Sequence, residues 1–507
     1  MQTVELGGHL TLDHVVAVAR HGAPVAFGPS ARQAVQKARA MVEDLVAARR
    51  PVYGITTGFG KFSDVFISPD ETETLQRNLI MSHACGVGDP LEETVVRAMM
   101  LLRAHALAQG FSGIKPETLD LLVGMLNAGV HPVVPEQGSL GASGDLAPLS
   151  HMCLPLMGMG EAYYQGERLP ADEALKRAGL KPVQLSSKEG LALINGTQCM
   201  TGIGSLTIDS ALMLLKVADI AAALTGEALG AIPAAWDPRI QALRRQPGQQ
   251  TAAENMRRLV ERSRLTTAPG EIRTQDAYTL RCIPQVHGAS RQALAHVAEV
   301  VGNEINAVTD NPLLFPEDGD VISGGNFHGQ PMALAMDYMG IALAELADIS
   351  ERRIERLVNP ALSGLPAFLT KHGGLNSGFM IPQYTAASLV SENKVLAHPA
   401  SVDSIPSSAN QEDHVSMGTT GARKARKIMA NVIRVLAIEL MCAAQGCEFV
   451  GPDGLGAGTA AAYKLIRQRV PALQEDRILY PDIEACADLI RSGELVKAVE
   501  AAIGPLA

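Results

Sequence analysis

The chain has 507 residues, of which 47% are hydrophobic and 19% are charged, and its formal net charge is -10. This composition is typical of a large globular protein and excludes an intrinsically disordered chain. The acidic balance offers no basic surface for nucleic acid or for an anionic membrane. The low charged fraction favours burial of further surface in an oligomer, although large single domains can have the same composition.

The cysteines and the N-terminus indicate a cytoplasmic protein. The seven cysteines are scattered, form no CxxC pair and are odd in number, so reduced thiols are expected rather than a disulfide framework. The N-terminal stretch lacks the basic segment and apolar core of a secretory signal.

Helical periodicity runs through most of the chain. The apolar stretch 199–236 is interrupted by four charged residues, which predicts a buried helix rather than a membrane span. Apolar residues recur at helical spacing over 340–358 and again over 428–439, and alanine, the strongest helix former, is abundant. Several of these helices are apolar around much of their circumference, which indicates a bundle interior or a buried subunit contact.

Breaks rich in Gly and Pro separate the predicted helices, and they lie near 53–63, 129–148, 311–331, 372–382 and 451–458. Loops of this composition between long helices often carry function. Strand content is expected to be small, with short hairpins around 160–170 and 313–322. The sequence therefore predicts a mainly α protein.

Common catalytic motifs are absent from the sequence. It contains no GxxxxGK[ST] phosphate loop, GxSxG elbow, HExxH helix or paired CxxC, and its thirteen histidines are dispersed, so no metal site is predicted. One GxGxxA match at Gly456, Gly458 and Ala461 has no preceding strand, and we interpret it as a glycine-rich helix entry. Composition and common motifs alone leave the function open.

The segment 138–149, GSLGASGDLAPL, differs from the other loops. Its simplest interpretation is a flexible loop that ends at a helix cap, and an anion nest at a helix N-terminus is a second. The triplet Ala142-Ser143-Gly144 also permits backbone chemistry, because the Gly144 amide nitrogen can approach the Ala142 carbonyl closely. Ring closure would release one water. Loss of the Ser143 hydroxyl would release a second and leave an electrophilic methylene.

This segment resembles the signature of the aromatic amino acid ammonia-lyase and aminomutase family, in which Ala-Ser-Gly cyclises to 4-methylidene-imidazol-5-one (MIO). The resemblance covers nearly the whole chain, and its further motifs are, in order, YGITTGFG (53–60), NGT (195–197), QDAYTLRCIPQVHG (275–288), NEINAVTDNPL (303–313), GGNFHGQ (324–330), GLNSGFM (374–380) and SANQEDHVSMG (408–418). It implies an MIO cofactor formed autocatalytically from Ala142-Ser143-Gly144, with no external cofactor. It leaves open whether the substrate's amine or its ring attacks the methylene.

The resemblance implies roles for four residues around the reacting centre. Tyr53 matches the tyrosine beside the TTGFG loop and is expected to be the catalytic base, for which the ordinary tyrosine pKa of about 10 must be lowered by the surroundings. Arg281 matches the arginine that pairs with the substrate carboxylate, a geometry that suits a guanidinium. Tyr278 and Gln275, in the same motif, are expected to line the site or to support the prosthetic ring.

Two asparagines, a phenylalanine and an aspartate complete the implied site. Asn195 is expected to bond the MIO oxygen or the substrate, and Asn311 to help hold the carboxylate, although asparagines in NGT and DNP contexts are commonly turn formers. Phe327 is expected to pack against the prosthetic group. Asp145 is expected either to orient the precursor loop during ring closure or only to cap a helix.

Two stretches point to the substrate. Met81-Ser82-His83-Ala84 resembles the Ser-His form of histidine-selective family members, whereas tyrosine-selective members tend to have His-Leu and phenylalanine-selective ones an apolar pair. Glu412, which could also help to remove a proton, matches the same histidine-selective members. His83 and Glu412 can pair both imidazole nitrogens, whereas phenylalanine would leave them unsatisfied at a cost of about 1–3 kcal/mol each. The resemblance therefore implies elimination of ammonia from L-histidine to give trans-urocanate.

The implied architecture is fumarase/aspartase-like and mainly α. A smaller N-terminal part, 1–110, is expected to carry Tyr53 and His83, and a long central helical bundle, within 111–507, the MIO loop and most site residues. The resemblance also implies a cytoplasmic homotetramer with sites built from more than one subunit, and no metal, nucleic acid or membrane partner. The alternatives are a tyrosine or phenylalanine ammonia-lyase or aminomutase, or a catalytically silent homologue; the GSSxMPxKxN loop of fumarase-like lyases is absent.

Overall fold

A computed structural model of the chain describes all residues except 1, 59–66 and 69–70. Helices dominate the described residues and strands are few and short, so the prediction of a mainly α fold is confirmed. The chain folds into two compact units. The first comprises 1–206, 298–337 and 399–423, and the second comprises 207–297, 338–398 and 424–507. The predicted division after residue 110 stays a prediction.

The helices of the first half of the chain are α1 (Leu12–His21), α2 (Pro29–Ala47), α3 (Thr72–His83), α4 (Glu93–Ala108), α5 (Pro116–Ala128), α6 (Leu146–Cys153), α7 (Ala171–Arg177), α8 (Glu189–Ile194) and α9 (Gln198–Ala228). Those of the second half are α10 (Pro238–Arg244), α11 (Pro247–Leu259), α12 (Tyr278–Arg281), α13 (Ile283–Ile305), α14 (Gln330–Val358), α15 (Pro360–Ser363), α16 (Met380–Leu396), α17 (Gly418–Val450), α18 (Ala457–Arg469), α19 (Tyr480–Arg491) and α20 (Glu494–Ile503). The three helices predicted from periodicity are present in α9, α14 and α17.

The strands all belong to the first unit, and they are β1 (Val4–Glu5), β2 (Val25–Ala26), β3 (Val87–Pro90), β4 (Val130–Pro132), β5 (Pro135–Gln137), β6 (Glu161–Tyr164), β7 (Glu167–Pro170), β8 (Leu313–Phe315) and β9 (Asp320–Ile322). β1 pairs with β2 in parallel, β3 pairs with β5 antiparallel, and β4, β6 and β7 form an antiparallel sheet in that order. The two predicted hairpins are confirmed as β6–β7, with Tyr163 opposite Arg168, and β8–β9, with Leu314 opposite Val321.

The first unit is organised around α4, whose sequence is apolar on nearly every face. Fourteen of its residues are buried, mostly apolar ones together with Arg97, Arg103 and His105, and it packs against α1 and α5. The shorter helices α3, α6 and α8 pack against one another. These three helices adjoin predicted site residues. Helix α3 ends at His83, α6 follows the Ala-Ser-Gly loop, and α8 ends just before Asn195.

The second unit buries several charges, and these are paired. Asp219 contacts His287 and Arg291, and Glu439 forms an ion pair with Arg353. Pairing is required because an isolated charge in an apolar interior is very unfavourable. By length and composition α17 could cross a membrane, but 83% of its most apolar window is buried within the protein, as in a core helix. All seven cysteines lie among the described residues and are free thiols, as predicted.

Candidate active site

A cavity of about 1160 Å³ lies in the first unit and collects side chains from six separate segments of the chain. A cavity with a few convergent polar groups is the usual form of a small-molecule site. Its lining includes eight of the residues predicted from the sequence: Tyr53, His83, Ala142, Ser143, Asn195, Asn311, Phe327 and Glu412. Residues 59–60 of the YGITTGFG motif lie outside the described residues.

The loop between β5 and α6 is held tightly on both sides of Ser143. Gly144 has φ +74°, and a Cβ there would overlap the Gly196 carbonyl oxygen and lie 2.5 Å from its carbon, so glycine is required. Gly141 has φ +81°, and a Cβ there would overlap the Ser416 hydroxyl. Ser143 lies between them and lines the cavity. The triplet therefore fits the MIO precursor, because glycine is the residue that the packing allows at 144 and Ser143 faces the cavity.

The carboxylate of Asp145 holds this loop in place through hydrogen bonds. This carboxylate is fully buried and accepts hydrogen bonds from the Ser139 and Thr419 hydroxyls and, at 2.9 Å each, from the backbone amides of Cys199 and Met200. Burial raises the pKa of Asp145, and these hydrogen bonds oppose the shift. In the described chain Asp145 makes no capping bond to its own helix α6 and instead caps the N-terminus of α9. One side chain thus both caps a helix and holds the loop.

Glu412 is oriented by its own loop and reaches Ser143. The Ser407 hydroxyl donates to Oε2 of Glu412 at 2.8 Å, and the backbones of these two residues are paired. The Ser143 hydroxyl donates to Oε1 at 3.2 Å. Because one carboxylate oxygen is held by the loop, the other is presented to the cavity at the predicted reacting centre.

His83 lies in the last turn of α3, and its uncharged form would present a hydrogen-bond acceptor to the cavity. Its Nδ1 lies 2.8 Å from the carbonyl oxygen of Leu79, which can only accept, so Nδ1 carries the proton and Nε2 has the lone pair. Burial lowers the pKa of His83, while the Leu79 hydrogen bond and the charge of Glu412 oppose this shift. Burial therefore favours the uncharged form of this imidazole.

A short network of hydrogen bonds joins Asn195 to Asn311. The Asn195 Nδ2 donates to the Asn311 carbonyl oxygen at 3.2 Å and to Asp310 Oδ1 at 3.4 Å. The Asn311 Oδ1 accepts from the Gly324 amide at 2.7 Å. Asp310 and its partner Lys188 were missed by the sequence reasoning: Asp310 adjoins Asn311 in the TDNP motif, but nothing in the sequence marks Lys188.

Three predicted site residues belong to the second unit. Arg281 donates to the side-chain oxygen of Gln275, and its guanidinium carbon lies 4.6 Å from the ring centre of Tyr278. Tyr278 is 70% exposed, so this cluster presents a cation and a phenol at the surface of its own unit. The predicted contact of Arg281 with the substrate carboxylate, and the predicted roles of Gln275 and Tyr278, stay predictions.

Comparisons with known proteins agree along the length of the chain. The sequence pattern of the family described as aromatic amino acid lyase matches residues 10–468. A histidine ammonia-lyase from Symbiobacterium thermophilum is 72% identical over 506 residues, which cover 100% of both chains. The solved structure of histidine ammonia-lyase from Trypanosoma cruzi has a TM-score of 0.92 and 44% identity, over 99% of this chain and 96% of that one. Tyrosine aminomutase from Streptomyces globisporus has a TM-score of 0.95 and 39% identity, over 99% of each chain. The chain belongs to the aromatic amino acid lyase family.

Proposed function

We propose that this protein eliminates ammonia from L-histidine without oxidation and releases trans-urocanate, the first step of histidine degradation. The observation that carries the proposal is that His83 and Glu412, the two residues expected to select imidazole, line one cavity with Ser143. The 72% identity to a relative named histidine ammonia-lyase supports the same activity.

The substrate ring is proposed to bind between His83 and Glu412. Neutral His83 offers Nε2 as an acceptor, because Nδ1 is committed to the Leu79 carbonyl. Glu412 offers a carboxylate oxygen that can accept a hydrogen bond or take a proton from the substrate. A neutral imidazole supplies one N–H donor to these acceptors, whereas a phenyl ring supplies none and leaves one more acceptor unsatisfied, at a cost of about 1–3 kcal/mol. The pocket chemistry therefore favours imidazole over phenyl.

The family relationship supports an MIO group formed from Ala142, Ser143 and Gly144. When present, this group supplies an electrophile that converts the amine into a better leaving group. Tyr53 lines the same cavity and is proposed to remove the β-proton.

The remaining predicted residues are assigned to binding. Asn311 and Arg281 are proposed to hold the substrate carboxylate, and Phe327, at the cavity wall, to pack against the prosthetic ring. Gln275 and Tyr278 are proposed to support Arg281, which both contact in the second unit. An arginine suits this role because its planar fork matches a carboxylate.

The protein is proposed to act as a cytoplasmic homotetramer with sites that more than one subunit completes. Exposed apolar side chains on α14 and α16 of the second unit support burial against further copies, among them Tyr338, Ile341, Ile381 and Tyr384. Sedimentation of the purified protein would test this assembly, and a monomer at micromolar concentration would contradict it.

A substrate panel tests the proposed activity. Purified protein is incubated with L-histidine, L-phenylalanine and L-tyrosine while ultraviolet absorbance and free ammonia are followed, and its intact mass is measured. We expect urocanate and ammonia in equal amounts from histidine alone, and a mass lowered by two waters. Cinnamate or coumarate as the main product would contradict the assignment of His83 and Glu412. A β-amino acid without ammonia would indicate an aminomutase, and an unreduced mass with no product would indicate a silent homologue.

A further inference from the structure

A buried ion pair lies next to Asn195 and Asn311 and has no role in the proposed chemistry so far. Lys188 Nζ is 2.8 Å from Asp310 Oδ2, and the two side chains are 0% and 1% exposed. Burial lowers the pKa of Lys188, and the charge of Asp310 opposes the shift. Because a buried ion pair is often no more stabilising than an apolar pair of the same volume, stability alone does not account for it.

The second oxygen of Asp310 controls how the Asn195 amide is turned. Oδ1 accepts from the Asn311 backbone amide at 2.7 Å and from Asn195 Nδ2 at 3.4 Å. The other hydrogen of that Nδ2 is directed to the Asn311 carbonyl oxygen at 3.2 Å. Both acceptors are unable to donate. Turning the amide over would place its oxygen against a carboxylate and a carbonyl, so the orientation is fixed by chemistry.

The amide oxygen of Asn195 is consequently left for another partner. Asn195 is 2% exposed and lines the cavity, and its Oδ1 accepts no hydrogen bond from any group in the described part of the chain. Its main chain is also held, since Arg103 donates to its carbonyl oxygen at 3.1 Å and its amide bonds the Leu191 carbonyl at 2.9 Å. A buried acceptor without a donor is unfavourable, so a bound ligand is expected to supply an N–H group.

We propose that Lys188 and Asp310 are positioning residues that hold the Asn195 oxygen ready to accept a hydrogen bond from the amino group of the substrate. This inference rests on the proposed function, because it takes L-histidine as the ligand. An amide oxygen accepts from an amine but cannot donate to the MIO oxygen. Of the two partners expected for Asn195, the orientation therefore selects the substrate.

The test compares the binding of two ligands to a variant that cannot convert either of them to product. In Ser143→Ala protein, calorimetry measures the affinity for L-histidine and for 3-(imidazol-4-yl)propanoate, which keeps the ring and the carboxylate but lacks the amine. Lys188→Met and Asp310→Leu are introduced together, because removing one charge alone would leave the other buried and unpaired. Leucine at 310 removes one of the two acceptors that fix the Asn195 amide, so the Asn195 oxygen is no longer held towards the substrate. We expect affinity for L-histidine to fall about tenfold and affinity for the amine-free ligand to stay the same.

Controls separate positioning from a merely structural role. Arg353→Met with Glu439→Gln removes an ion pair of equal burial from the second unit, and it is expected to lower stability without changing either affinity. Equal weakening of both ligands by the Lys188 and Asp310 changes, or unchanged L-histidine binding in that folded variant, would overturn the proposal.

Asn195→Ala provides a second measurement that does not disturb the ion pair. This substitution is expected to lower the affinity for L-histidine and to leave the affinity for the amine-free ligand unchanged. Combining it with the Lys188 and Asp310 changes should cause no additional loss of affinity. If Asn195→Ala lowers the affinity for both ligands equally, the proposal fails. This result stands even when the variant changed at Lys188 and Asp310 does not fold. Failure of the Ser143→Ala parent to bind L-histidine would instead refute the proposed substrate.

Discussion

Replacing Gly144 by alanine is expected to prevent maturation of the site and to destabilise the protein. Gly144 pairs with Gly196, and the next amide, of Asp145, donates to the Gly196 carbonyl oxygen at 2.7 Å. An added Cβ would overlap that same oxygen, and its neighbours are backbone atoms that cannot turn away. The backbone must therefore rearrange at residue 144, which moves its nitrogen away from its position relative to Ala142.

Two costs contribute to the expected loss of stability. Alanine at φ +74° has a left-handed backbone, which costs about 1 kcal/mol relative to glycine. Forcing an extra carbon into a packed site costs about 1–3 kcal/mol more. The free energy of unfolding is therefore expected to fall by about 2–4 kcal/mol, and both water losses from the triplet are expected to be absent.

Gly166→Ala is the matched control for the backbone cost. Gly166, in the β6–β7 turn, has φ +83°, and no described atom lies within 4 Å of a Cβ placed there, so only about 1 kcal/mol is expected. Urea unfolding followed by circular dichroism, at equal protein concentration, compares the two variants, and intact-mass spectrometry reports the water losses. A Gly144→Ala protein that is as stable as Gly166→Ala and lacks two waters would refute the steric argument.

Three further predictions concern the site and its pH dependence. Ser143→Ala is expected to abolish urocanate formation while circular dichroism and melting stay close to the parent, and residual activity at the parent rate would remove the triplet from the mechanism. Glu412→Ala is expected to lower kcat/KM for histidine about 100-fold or more, whereas exposed Asp403→Ala in the same loop leaves it unchanged; equal rates in the two variants would contradict the role of Glu412. Burial lowers the pKa of His105 to about 4. Below about pH 6.5 this histidine is therefore protonated in the unfolded chain, whereas in the folded chain it stays uncharged until about pH 4. Stability is expected to fall by up to about 3 kcal/mol between pH 6.5 and 4 from this group, and His105→Gln should remove that part of the slope in urea titrations at each pH.

Local sequence predicted the elements because their causes are local. The apolar periodicity of 340–358 and 428–439 predicted α14 and α17, since a helix buries the residues that recur along one face. The hairpins at β6–β7 and β8–β9 follow from short strands separated by turn residues. The small residues of Ala142-Ser143-Gly144 likewise marked the precursor loop, because ring closure joins atoms of residues that are neighbours in the chain.

Tertiary structure decided which partners those residues have. No spacing rule joins Lys188 to Asp310 or takes the Asp145 carboxylate past its own helix to the start of α9. Tyr53, His83 and Glu412 are far apart in sequence, and they line one cavity only because the first unit packs their segments together. Sequence by itself determined the helices and the reactive triplet, since local propensity and covalent chemistry act within a few residues. The electrostatic orientation of Asn195 required the fold, because charges pair in a low-dielectric interior according to distance in space, not along the chain.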